Sequence, residues 1–189
     1  ENMLRYVEDM EAELALATAE KMVAAIKTAP KASGQDKVVA AIASGSDKDR
    51  IVRKMRKLGE EYNEEFITRD AGCLEKCKCV VLVGVRDIPH GLDHCGMCGF
   101  ENCAELRKAG GNCALTTTDL GIAIGSAVSI AADSRVDNRV MYSVGKAVSQ
   151  MDIFPSDVRV CYGIPLSISA KSIFFDRGPG AVLISGKDE

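Results

Sequence analysis

Apolar and polar positions along this chain follow two periods, one typical of helices and one of strands. Apolar side chains recur every three or four residues over 3–27 and again over 47–62, which predicts two amphipathic helices. The clearest strand signal is VVLVGV at 80–85, a run rich in β-branched residues that a Pro/Gly/His loop follows. Shorter apolar runs predict strands at 37–43, 157–164 and 181–185.

The longest apolar run covers 120–132, thirteen residues between Asp119 and Asp133. It is well short of the roughly 20 residues that span a bilayer, so it predicts a buried core helix at 117–132. Gly121, Gly125 and Ala127 would let a neighbouring element pack closely against it. A further helix is expected at 139–151, capped by Asp137 or Asn138.

These elements predict one α+β domain over 1–189, rich in helix, with an insert at 88–116. The net charge is −3, and the densest basic stretch, at 50–57, spreads its charges along a helix. We therefore expect no nucleic-acid surface. Acidic residues stand at the N-terminus where a signal peptide would be apolar, so a cytoplasmic protein is expected, with no membrane contact.

Eight cysteines are present, and without an export signal reduced thiols or metal ligands are favoured over disulfides. Four of them lie in the insert: three in the segment CGMCGFENC and one more after nine intervening residues. Four thiolates with tight Gly-containing gaps are typical of an iron–sulfur centre. This pattern predicts a metal site, best read as a 4Fe-4S cluster, at Cys95, Cys98, Cys103 and Cys113.

Local signals around the third ligand agree with a metal-binding loop. Asn102 followed by Glu105 resembles a capping box, which would place Cys103 at the first position of a short helix. The positive end of that helix would favour a thiolate and an anionic cluster. Gly110 and Gly111 would end the helix and return the chain to the fourth cysteine.

Other interpretations of the thiols and histidines stay open. The four cysteines could hold a structural zinc, although zinc sites usually present two close pairs, or could bind nothing. Cys73, Cys77 and Cys79 are expected to be buried as small apolar side chains, with a ligand or redox role as the alternative. Cys161 is expected in the core. His94 could donate to a cluster sulfur, and loop packing is the plainer expectation for both His90 and His94.

The cysteine segment resembles segments of two groups of known proteins. CGMCGFENC resembles the four-cysteine module of the B subunit of Rnf-type complexes and of the corrinoid iron–sulfur protein. Together with the stretches at 119–147 and 163–177, it also resembles a family of uncharacterised ferredoxin-domain proteins through nearly the whole chain. That resemblance implies cluster binding by the same four cysteines in a cytoplasmic protein, and it implies no particular reaction.

More faintly, the order of elements resembles nitroreductase-type flavoproteins, through Thr28-Ala29-Pro30, VVLVGV and Gly163-Ile164-Pro165. This implies a small, mostly antiparallel sheet wrapped by helices, and flavin mononucleotide (FMN) bound across a homodimer interface. The family's arginine pair at the first helix is missing here. The residues that could still meet a flavin or another anion are Asn138, Arg139, Lys171 and Arg177.

Three functions follow as hypotheses. The first is a cytoplasmic redox protein that transfers single electrons to or from a partner protein through one 4Fe-4S cluster. The second is an FMN-dependent oxidoreductase whose flavin is fed by that cluster. The third is a zinc-stabilised structural or interaction protein. No serine–histidine–aspartate set or phosphate-binding loop offers another lead.

Overall fold

The computed structural model describes residues 4–175, which form helices on both faces of one sheet. The helices are α1 (Val7–Thr28), α2 (Gly45–Tyr62), α3 (Glu65–Lys76), α4 (Cys103–Lys108), α5 (Ala114–Asp133) and α6 (Tyr142–Val148). The strands are β1 (Val38–Ser44), β2 (Cys79–Arg86), β3 (Asp137–Asn138) and β4 (Val158–Ser167), and a single 3-10 turn covers Ala32–Gly34.

The strands form one antiparallel sheet in the order β1-β2-β4-β3. Val38 of β1 stands opposite Val85 of β2, and Val85 stands opposite Val160 of β4, with a register shift just beyond it. The predicted fold class, a helix-rich α+β domain around a small antiparallel sheet, is therefore confirmed.

Strand β2 lies at the centre of the core because both of its faces are buried. Val80 and Leu82 point to a cluster formed with α2, α3 and α6. Val81 and Val83, on the opposite face, join a second cluster formed with α1 and α5. Each fully buried Val or Leu contributes roughly 1.5–3 kcal/mol relative to an exposed one, which accounts for the uninterrupted VVLVGV run.

Helix α5 differs from its prediction, because only one of its faces is buried in this chain. Its buried positions recur at helical spacing and pack on α1 and the sheet: Thr116, Asp119, Leu120, Ala123, Ala127 and Ala131. Gly121 and Gly125 are exposed, and Ile122 keeps 43% of its surface accessible. By length and composition α5 could cross a membrane, which is weak evidence since a core helix passes the same test.

One more expectation fails for a physical reason. Asn138 does not cap a helix but pairs in β3 opposite Leu166, so the following helix α6 begins only at Tyr142. Helix α3 was not expected, although Ile67, Ala71 and Leu74 have helical spacing. The strand expected at 181–185 lies outside the described residues.

Candidate metal centre

The cysteine loop connects the central strand β2 to the start of α5, and both of its ends are anchored to the sheet. The Thr116 hydroxyl of α5 donates to the Ile88 carbonyl at 3.1 Å, close to the point where the loop leaves β2. On β4, Arg159 donates to Asp87 at 2.9 Å and to the Gly110 carbonyl at 2.8 Å. The loop is therefore held at its beginning and near its return.

Helix α4 lies inside this loop, and its start and end are those predicted from the sequence. The Asn102 side chain accepts hydrogen bonds from the backbone N–H groups of Ala104 (3.0 Å) and Glu105 (3.1 Å), which places Cys103 at the first helical position. Gly110 has φ +68°, where glycine is favoured, and the Gly111 N–H bonds back to Leu106. The Glu105 carboxylate pairs with Lys108 instead of closing a reciprocal capping box.

The four predicted cysteine ligands line one cavity, between the loop and the first turn of α5. Cys95, Cys98 and Cys103 are half-buried, whereas Cys113 is buried. Within residues 4–175, no three His, Cys, Asp or Glu side chains are close enough together to hold a single metal ion. The four thiols nevertheless line one shared space, and this donor set fits an iron–sulfur centre and would also serve zinc.

The environment of Cys113 favours its thiolate form. Burial alone would raise the pKa of this thiol, but hydrogen bonds from Thr116, His90 and Leu115 outweigh it and lower the pKa. A thiolate is the form that binds metals, so this position is prepared for a cation.

Three buried polar side chains lie near these thiols. The His90 Nε2 atom is 3.2 Å from Asp119 Oδ2, and Asp119 Oδ1 accepts the Ala32 N–H at 2.9 Å. The Lys37 ammonium donates to the Pro89 carbonyl at 3.4 Å. Burial lowers the pKa of Lys37, although the charges of Cys113, Asp119 and Cys103 oppose this shift.

Sequence reasoning considered His94 as a donor to the cluster, whereas the structure points to His90. His94 is exposed on the loop, while His90 is buried and lines the cysteine cavity. The pairing of His90 with Asp119 joins residues 29 positions apart, which no local pattern reveals. The apolar run that follows Asp119 was the only hint that its carboxylate would be buried.

The remaining cysteines belong to the core, as expected. Cys77, Cys79 and Cys161 are buried, and Cys73 is half-buried against the cluster of α2, α3 and α6. Burial raises the pKa of Cys77 to about 12 and those of Cys79 and Cys161 to about 11. These thiols stay protonated near neutral pH and pack as small apolar groups.

Of the residues predicted to meet a flavin or anion, the three that the structure describes, Asn138, Arg139 and Lys171, are not among those that line the cysteine cavity. The Asn138 amide donates to the Val136 carbonyl at 3.2 Å, and Arg139 pairs with the buried carboxylate of Asp70 at 3.6 Å. Lys171 is exposed beyond the end of β4, and Arg177 lies outside the described residues. Their role in cofactor binding stays a prediction.

Comparison with known folds shows that nitroreductases share this architecture. A nitroreductase family protein from Clostridium novyi NT matches with a TM-score of 0.54 and 10% identity, over 80% of this chain and 73% of its own. A nitroreductase with bound FMN from Desulfitobacterium hafniense DCB-2 matches with a TM-score of 0.53 and 14% identity, over 90% and 82% of the two chains. At such identities the likeness shows the fold alone, and it confirms the nitroreductase-like expectation.

Sequence comparison gives the family. Residues 109–177, which include Cys113, match the model described as "Uncharacterized protein containing a ferredoxin domain (DUF2148)". An uncharacterized protein from Archaeoglobus fulgidus is 38% identical over 167 residues, covering 84% of this chain and 89% of that relative. The chain therefore belongs to this family of proteins containing a ferredoxin domain, and within it has a nitroreductase-like fold.

Proposed function

We propose that this is a cytoplasmic redox protein that holds one 4Fe-4S cluster and exchanges single electrons with a partner protein. The observation that carries the proposal is that Cys95, Cys98, Cys103 and Cys113 line one cavity between the loop and the first turn of α5. Membership of a ferredoxin-domain family supports the same chemistry.

Residues of this chain account both for binding the proposed cluster and for shielding it from water. The four thiolates hold the cluster, and the N–H groups around Cys113 stabilise negative charge at that corner. Leu92, Phe100 and Leu106 line the same cavity and restrict the access of water. When bound, the cluster supplies one-electron transfer.

Analysis of anaerobically purified protein tests the proposal. We expect about four irons and about four acid-labile sulfides per chain. Cys98→Ser should remove most of both, because an alcohol is a poor ligand for these irons. Cys73→Ser is the matched control, since it changes a thiol that packs against the core instead of the cavity. A content of one zinc per chain without sulfide would contradict the redox proposal and would indicate a zinc-stabilised structural protein.

An FMN-dependent oxidoreductase fed by the cluster is the second candidate, because the D. hafniense nitroreductase that shares this fold was crystallised with FMN. The groups proposed to meet that flavin are Asn138, Arg139, Lys171 and Arg177. An absorption band near 450 nm, and FMN released on acid treatment, would establish it. Protein that binds no FMN when the nucleotide is added would exclude it.

A homodimer is proposed for either function, with the exposed face of α5 as its contact. This face, formed by Gly121, Ile122 and Gly125, is exposed among the described residues, and a Cβ at either glycine would meet none of their atoms within 4 Å. Gly125→Gln should therefore fold but lower the dimer fraction in light scattering. Gly72→Gln, at an equally open helical glycine of α3, is the control. Equal masses for both variants and the parent protein would show that this face of α5 does not form a dimer contact.

A further inference from the structure

The pair formed by His90 and Asp119 lies at the wall of the cysteine cavity and is almost completely withdrawn from solvent. The His90 side chain is 1% exposed and that of Asp119 is 5% exposed. The Asp119 carboxylate is fixed from the other side by the Ala32 N–H, so it holds the imidazole in one orientation. His90 lines the cavity together with all four cysteines.

The hydrogen bond between these side chains determines where the imidazole proton lies. The Asp119 oxygen is the acceptor of this bond, so Nε2 donates, and Nδ1 is the ring nitrogen left to bind a metal. That Nδ1 atom is buried and has no hydrogen-bond partner among the described residues. An unsatisfied buried polar atom is destabilising, and its presence beside four thiols calls for a ligand.

We propose that His90 is a fifth ligand of the metal centre, binding one of its irons through Nδ1. The inference rests on the proposed cluster and deepens it. Histidines that bind metals almost always donate their other N–H to a carboxylate or carbonyl, which fixes the ring and raises its basicity. Asp119 stands in that position, and imidazole is a suitable ligand for iron.

The backbone places His90 within the ligand set as well. The backbone N–H of His90 donates to the Cys113 sulfur, so His90 lies directly beside one of the proposed ligands. Asp119 lies on the helix that follows Cys113, on its buried face. Helix α5 therefore starts directly after the ligand Cys113 and carries Asp119, which orients the proposed ligand His90.

A fifth ligand would make one iron different from the other three. Replacement of thiolate by imidazole raises the potential of iron–sulfur centres, so His90→Cys should lower the potential of this one. His94→Cys is the matched control, because His94 is exposed on the same loop.

The decisive experiment labels histidine alone with ¹⁵N, since the chain contains only two histidines. Pulsed electron paramagnetic resonance of the reduced cluster should show one strongly coupled histidine nitrogen. This coupling should be absent in His90→Ala and unchanged in His94→Ala. Mössbauer spectra of ⁵⁷Fe-loaded wild-type protein, which need no paramagnetic state, should show one iron distinct from the other three.

The outcomes separate the two proposals. A cluster with about four irons but with only weak nitrogen coupling and equivalent irons would overturn the role of His90 and leave the proposed function standing. Protein without iron and sulfide would overturn the proposed function, and this inference with it. Strong coupling that persists in His90→Ala would also contradict the assignment.

Discussion

The two groups of cysteines in this chain have opposite environments, although both contain closely spaced thiols. Cys77 and Cys79 flank the junction of α3 with β2, where apolar neighbours surround them. Cys113 is also buried, yet it receives several N–H groups that Cys79 lacks. Burial raises the pKa in the first group to about 12 and 11, whereas hydrogen bonding lowers it at Cys113. The number and spacing of cysteines therefore indicate a site less surely than the polar groups around each sulfur do.

Thiol reactivity should show the largest difference between the groups. In metal-free protein near pH 8, Cys113 should be alkylated much faster than Cys77, because burial raises the pKa of Cys77 to about 12 whereas hydrogen bonds lower the pKa of Cys113. A thiolate of lower pKa is less nucleophilic, which offsets only part of this difference. Alkylation followed by peptide mass spectrometry measures both rates. In urea-unfolded protein the two alkylation rates should become similar. Similar rates in the folded protein would contradict the predicted difference between Cys113 and Cys77.

Stability in alkaline solution should show the next effect. Cys77 keeps its proton in the folded chain up to about pH 12, whereas in the unfolded chain it loses the proton above about pH 8.5. The unfolded state therefore binds fewer protons in this window, and the free energy of unfolding falls by up to about 1.4 kcal/mol per pH unit for this thiol. Urea unfolding of metal-free protein between pH 8 and 10 measures the slope. Cys77→Ala should make it shallower, whereas Cys95→Ala should leave it unchanged.

The smallest effect is expected from the cap of α4. Asn102→Ala removes the acceptor for the N–H groups of Ala104 and Glu105, which costs about 1 kcal/mol. Since that energy stabilises only the loop, a chelator should remove the metal about five times faster, with little change in the unfolding of the sheet. Asn102→Ser keeps an acceptor oxygen and should behave like the parent. Equal release rates for the Ala and Ser variants would show that the cap does not hold the loop.

Local patterns were sufficient for much of the fold. Strand β2 and helices α1 and α2 lie within a few residues of their predicted bounds, because each has a dense apolar period. The start of α4 followed from Asn102, and its end from Gly110. Each of these signals acts between residues that are neighbours along the chain.

Tertiary contacts account for what was missed. Asn138 could cap a helix or pair in a sheet, and it pairs in the sheet because the folded chain places Leu166 of β4 opposite it. The buried pair of His90 and Asp119 depends on how the loop packs over α5, and the Ala32 N–H that fixes Asp119 is 87 residues away. The open face of α5 carries no charged residue between Asp119 and Asp133, so the uninterrupted apolar run predicted a helix buried all round.

The position of the cysteine loop also bears on how the protein is assembled in the cell. Neither of the two apolar clusters that hold the described part of the sheet contains a residue between Arg86 and Ala114. The scaffold can therefore close during synthesis before any iron arrives, and the loop can open locally without unfolding it. Under the proposed function, loading of the loop with metal would be a late step at the surface of a folded domain, and protein produced without iron should accumulate as a folded, empty form.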